Sequence, residues 1–158
     1  MSNSNDNKKP TRYNISVASW INWNTKEGAY GCSIVNDDDG SVIFRNFSIS
    51  SALESSSLAE LKALIMGLSH VPTGTPVLIK TSQPSIVAGI NHSLEFWEKQ
   101  SQWQTKEGTT VKHQSEWQEL GKLVKGRKTL ALQVQDDEFN ALQNASKQYL
   151  KFISFSEN

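Results

Sequence analysis

Cysteine is almost missing from this chain of 158 residues. Cys32 stands alone, so no internal disulfide framework exists and a reducing compartment is the natural setting. Long apolar runs are missing too. No stretch approaches the ~20 residues that span a bilayer, and no apolar segment follows Met1 as it would in a secreted precursor. No membrane partner is expected, and the expected location is intracellular, in the cytoplasm. Excess charge is also lacking: 16 Lys and Arg balance 16 Asp and Glu, for a formal net charge of zero. A neutral chain exerts no long-range pull on polyanions, so affinity for nucleic acid must come from local patches. The three histidines, His70, His92 and His113, are scattered and match no metal-ligand spacing. No glycine-rich phosphate loop follows a strand, and no base is evident beside Ser82 to make it a nucleophile.

What is present is a regular alternation of elements. Residues 1–11 are polar and are expected to form a disordered lead, with residues 12–158 as one domain. Tyr13, Ile15 and Val17 alternate with polar neighbours, which is strand periodicity. Tyr30–Val35 is a second strand, the turn Asn36–Gly40 ends in Asp-Gly, and Val42–Ile49 is a third strand. Leu58, Leu61, Leu64, Ile65 and Leu68 recur at helical spacing after an N-cap supply at Ser55–Ser57. Beyond the breakers Pro72, Gly74 and Pro76, Val77-Leu78-Ile79 is a short buried strand. Helices are expected over Ser85–Ile90, over Leu94 to about Trp103, and over Ser115–Val124. Leu130, Leu132 and Val134 mark a last strand, and Asp136-Asp137 opens a final helix, where acids suit the macrodipole. Three hairpin-linked strands followed by strand–helix alternation predict an α/β fold: a five-stranded mixed sheet, three strands antiparallel and the rest parallel, flanked by helices.

That order resembles type 1 ribonuclease H, and the residues carry the resemblance from Tyr13 to Tyr149. Gly28-Ala29-Tyr30-Gly31-Cys32-Ser33-Ile34 is similar to the family's second strand, with its Gly-Tyr-Gly-Ala pattern. Ala59-Glu60-Leu61-Lys62-Ala63-Leu64 resembles the helix carrying a catalytic glutamate. Ile79-Lys80-Thr81-Ser82-Gln83 looks like the fourth strand, where Thr-Asp-Ser is usual. The series Trp97, Trp103, Trp117-Gln118-Glu119-Leu120 resembles the tryptophan-rich handle of the bacterial type.

The resemblance implies cleavage of the RNA strand of RNA–DNA hybrids with two Mg²⁺ ions, which sit roughly 4 Å apart and need several anionic oxygens to hold them. The family supplies four acids, and only Glu60 matches one. The first-strand position falls on Ala18 or Ser19, and no acid occurs between Arg12 and Lys26. The fourth-strand position falls on Ser82, and none occurs between Pro76 and Leu94. The last falls near Leu142 or Asn144. The His-containing loop before the final helix is missing. Asp136 and Asp137 are candidates to rebuild a site with Glu60; the competing reading is a helix N-cap and first turn, which Asp favours.

The resemblance also implies nucleic-acid contacts. Asn24 matches a hybrid-contacting Asn of the family, and Gln83 a Gln close to one. Ser56 and Ser57 replace an Asn pair that grips the minor groove. Lys99, Lys106 and Lys112, interleaved with Trp97 and Trp103, could hold phosphates without reading sequence. Three functions follow as expectations. The first is a catalytically degenerate member that binds RNA–DNA hybrid or double-stranded RNA without cleavage and without a cofactor. The second is a protein-interaction scaffold without nucleic acid, favoured by Glu95, Glu98, Glu107, Glu116 and Glu119 offsetting the lysines. The third is a nuclease with a rebuilt site, the one case that requires Mg²⁺.

Overall fold

The computed structural model describes residues 12–100 and 103–156; the expected N-terminal lead lies outside them. A five-stranded sheet in the order β3-β2-β1-β4-β5 is the frame. Strands β1 (Tyr13–Ile21), β2 (Gly28–Asn36) and β3 (Val42–Ser50) form an antiparallel meander, and β4 (Val77–Thr81) and β5 (Thr129–Gln133) add to β1 in parallel. Helix α1 (Ser56–Leu68) crosses from β3 to β4. Helix α2 (Pro84–Ala88), a π-helical turn over Gly89–Ser93 and α3 (Leu94–Glu98) follow without a break. Helix α4 (Gln114–Val124) precedes β5, and α5 (Asp137–Ser156) closes the chain. The mixed five-stranded sheet expected from the sequence is present.

The pattern of side chains explains the layers. Ile15 and Val17 of β1, Cys32 and Ile34 of β2 and Ile79 of β4 point to one face, where Leu61, Leu64 and Leu68 of α1 cover them completely. Ile86, Leu94, Trp117 and Leu120 extend this core to the helices after β4. On the other face, Ala18 is sealed by Phe139 and Leu142 of α5, with Phe47 against them. Burial pushes the Cys32 thiol up to about 12, so it behaves as a small apolar side chain.

Two expectations need correction. The helix expected from Leu94 to Trp103 stops at Glu98. Trp103 has φ +47°, a left-handed backbone no helix accepts, and its indole folds back to 6.4 Å from that of Trp97. Packing of the indoles overrides the helical spacing. The short helix expected over Ser85–Ile90 does not end there either. It continues through the π-helical turn, in which the Asn91 amide both donates to and accepts from the backbone of Ala131, at 2.9 Å each way. That pair occupies part of the free edge of β5, as a further strand would.

Candidate nucleic-acid interface

Helix α1 begins beside the end of β4. Ser55 accepts from the Leu58 amide at 3.1 Å and so caps it, which sets Ser56 and Ser57 on the first turn and Glu60 one turn further in. Glu60 is buried, and its carboxylate is filled by neutral donors. Oε1 accepts from Thr81 Oγ1 at 2.7 Å and from the Ser82 amide at 3.0 Å. Oε2 accepts from the Ser82 hydroxyl and from Gln83 Nε2 at 3.3 Å. Gln83 in turn accepts from the Ser57 hydroxyl at 2.8 Å, and Ser57 meets Ser85 at 3.0 Å. The end of β4 is thus stitched to α1 through a carboxylate whose lone pairs are spent.

The residues do not fit a pair of Mg²⁺ ions. Of the two candidate positions on β1, Ala18 is buried beneath α5 and Ser19 is a hydroxyl. Ser82 satisfies Glu60 instead of adding charge beside it. Asn144 is exposed on α5, and the side chain α5 sends to this end is its neighbour Gln143, whose Nε2 donates to the Ser19 carbonyl at 3.1 Å. Asp136 caps α5 by accepting from the Phe139 amide at 3.0 Å and pairs with Lys80 at 3.9 Å; Asp137 lies in the first turn of that helix. Among the described residues, no group of three His, Cys, Asp or Glu side chains comes together to hold a metal.

Two cavities flank the start of α1. One, of about 470 Å³, is lined by Ser19, Asn22, Asn24, Ser56, Gln143 and the segment around Trp20 and Trp23. The other, of about 350 Å³, is bounded by Ser55, Ser57, Ser85, Trp97, Lys112 and Trp117, with His113 beside them. Trp97 meets Trp117 edge-on at 5.2 Å, giving the second cavity a rigid apolar wall. His113 begins α4 at φ +60° with a buried, unpartnered Nε2; burial, then the charge of Lys112, lowers its pKa.

The structure therefore gathers Asn24 and Ser56 in one cavity, and Ser57, Trp97 and Lys112 in the other. Lys106 lies with Trp97 in a third cavity. Lys99 pairs with Glu95 on open surface and lines none of these cavities. Trp103 and Gln83 support their neighbours instead of lining a cavity. Gln143, Asn22, Trp20 and Trp23 line the first cavity, and the sequence did not single them out. Gln143 is one residue from the expected place on α5, and Trp20 and Trp23 follow the expected first-strand position at Ala18 or Ser19.

Comparison with known proteins follows the same lines. Among proteins of curated function, none matches the chain by sequence. Solved structures do match in shape. A foamy viral protease–reverse transcriptase in complex with RNA/DNA hybrid aligns with a TM-score of 0.71 at 15% identity, over 89% of this chain and 21% of that one. This chain thus spans about a fifth of that polypeptide's length. LC11-RNase H1, also in complex with RNA/DNA hybrid, gives 0.66 at 12% identity, over 88% and 99%. RNase H1 from the halophilic archaeon Halobacterium salinarum NRC-1 gives 0.61 at 14%, over 85% and 93%. At these identities the likeness shows the fold. The family model for RNase H matches residues 18–148, which is most of the chain, and this protein belongs to the RNase H family.

Proposed function

We propose that this RNase H domain binds RNA–DNA hybrid or double-stranded RNA without cutting it. The observation that carries the reading is the state of Glu60, the one acid retained at a family catalytic position. Its oxygens accept from Thr81, Ser82 and Gln83, so it serves the fold and offers no cluster of anionic oxygens. Without such a cluster, divalent ions lack the charge that holds them together. Removal of acids also lowers repulsion toward phosphate. The groups beside α1 suit a nucleic-acid backbone: serine hydroxyls, the Asn24 amide and the Lys112 ammonium donate to phosphate or 2′-hydroxyl oxygens, and A-form helices are recognised by such contacts. Two of the structural relatives named above were solved with RNA/DNA hybrid bound.

The test is fluorescence anisotropy of a labelled RNA–DNA hybrid at near-physiological salt with Mg²⁺, followed by a denaturing gel of the probe. Saturable binding with an intact probe is the expected result. Cleavage that depends on Mg²⁺ and is lost in Glu60→Gln would restore the nuclease reading. A specific feature favours the scaffold reading as the second choice. Leu130 and Leu132 of β5 are 52% and 42% exposed among the described residues, an apolar surface of the kind protein partners use. No binding of hybrid at tens of micromolar would favour it.

A further inference from the structure

The cavity at the end of β1 has a composition that differs from a phosphate site. Trp23 is 53% exposed at its rim. The Lys26 ammonium lies 5.2 Å from the centre of that indole, and Lys26 has φ +67°, so the loop backbone folds the lysine back toward the ring. Trp20, inside the cavity, is matched by Lys147 of α5 at 5.4 Å. Lys147 and Gln143 stand one turn apart on α5, so one helix face delivers both to this end of β1.

The polar lining is uncharged. Asn22 Oδ1 accepts from the Asn24 amide at 3.0 Å, which leaves the Asn22 amino group as a donor toward a ligand. Gln143 Nε2 is used on the Ser19 carbonyl at 3.1 Å, which leaves its carbonyl as an acceptor. The cavity therefore offers neutral donors and acceptors, indole surface and ammonium groups at its margin. Glu27, the acid nearest along the loop, is not among its lining residues.

We infer that this cavity receives an unpaired nucleobase, stacked on Trp23, with Lys26 and Lys147 taking the flanking phosphates. The inference rests on the nucleic-acid reading above and specifies it: the preferred ligand is a duplex with a single-stranded end or a bulge. Every base has a π-face, so stacking on an indole tolerates sequence. Amide donors and acceptors match base edges. A fully paired duplex buries its bases in the stack and cannot use Trp23 in this way, whereas a frayed or overhanging strand can at little unstacking cost.

The experiment uses the full chain and three labelled probes: a blunt RNA–DNA hybrid, the same hybrid with a short overhang carrying 2-aminopurine, and the overhang strand alone. Anisotropy gives affinity, and 2-aminopurine emission reports stacking. The overhang is expected to tighten binding about tenfold over the blunt hybrid, the scale of one base–aromatic stack, with quenching of 2-aminopurine. Trp23→Ala is expected to abolish the overhang gain and the quenching, so that overhang affinity falls about tenfold more than blunt-hybrid affinity, and Trp23→Phe to restore most of the gain. Because Trp23 is half exposed, far-UV circular dichroism of Trp23→Ala should overlay that of the parent. Blunt binding with no overhang gain overturns this inference and spares the groove reading. Quenched binding of the overhang strand without blunt-hybrid binding supports the base site and overturns the groove. An equal loss of affinity for blunt and overhang probes in Trp23→Ala also overturns the inference, because it makes Trp23 part of the duplex contact.

Discussion

Glu60 stands at a family catalytic position with its carboxylate inside a network of neutral donors. A carboxylate kept for metal ions is held near other anions and is under repulsion when the metal is away, so its neutralisation leaves the metal-free protein as stable or more so. Glu60 is instead surrounded by donors. In Glu60→Gln one oxygen becomes an amino group and meets donors in either orientation, Thr81 Oγ1 and the Ser82 amide or the Ser82 hydroxyl and Gln83 Nε2, so the buried network loses hydrogen bonds. A loss of about 1–3 kcal/mol is expected by urea unfolding at neutral pH; unchanged or higher stability would show that the carboxylate is poised for a cation. His113 gives a second expectation, in pH. Burial first, and then Lys112, lower its pKa, so the unfolded chain takes up a proton on this ring at higher pH than the folded one does. Stability is then full above the ordinary histidine value, near 6.5, and declines as pH falls through that value toward the lowered one. His113→Asn removes the titration and keeps a residue that tolerates φ +60°. The fall in Tm from pH 7 to pH 5 should be smaller in the variant than in the parent, and equal falls would remove His113 from the account.

The elements most easily seen in the sequence were those whose packing follows their own period. Helix α1 buries Leu58, Leu61, Leu64 and Leu68 as its spacing demands, and β1 turns Ile15 and Val17 inward by simple alternation. The segment after β4 was harder, because its shape is set by partners distant in sequence. Gly89 lies where a Cβ would run into the Trp117 ring, so the π-helical turn and α4 approach more closely than any other residue type permits. Gly89→Ala is expected to lower stability by about 1–3 kcal/mol through overpacking, with a matching loss of near-UV dichroism from the tryptophans. An unaffected near-UV spectrum would mean that this contact is not tight in solution. Trp103 is set at shorter range, by the indole contact with Trp97 that ends the expected helix. Long-range control returns at β5, where the apolar pair Leu130 and Leu132 faces outward and Ala131 inward. Alternation shows that two faces differ, and only the position of α5 over β1 and β2 shows which one is covered. At the site, Glu60 and Ser82 could be assigned from short motifs, whereas Gln143 depended on the exact rotation of a helix that packs more than 120 residues away from its partner Ser19.

At the scale of the whole molecule, zero net charge sets a quantitative limit on the proposed binding. With 16 basic and 16 acidic residues, no general field draws a duplex in, and the electrostatic share of affinity falls to the few lysines at the cavities. Lys26 and Lys147 stand by the tryptophans of β1 and its following loop, Lys112 lines the cavity at α4, and Lys106 lies beyond Trp97 beside Glu107. If about three phosphates are neutralised, the logarithm of the binding constant should fall against the logarithm of salt with a slope of about −2.7. Between 50 and 200 mM salt the affinity for a hybrid with an overhang, which can engage the lysines of both cavities, would then drop about 40-fold. Lys112→Ala should weaken every sequence to a similar degree and reduce the slope by about one. Trp97→Ala, which removes an apolar wall and no charge, should weaken binding and leave the slope alone. A slope that stays the same in Lys112→Ala would move the phosphate path off the α1–α4 cavity. A slope near zero in the parent would show that the balanced charge of this chain leaves no electrostatic grip on nucleic acid, and would point to the uncovered leucines of β5 as the surface that engages a partner.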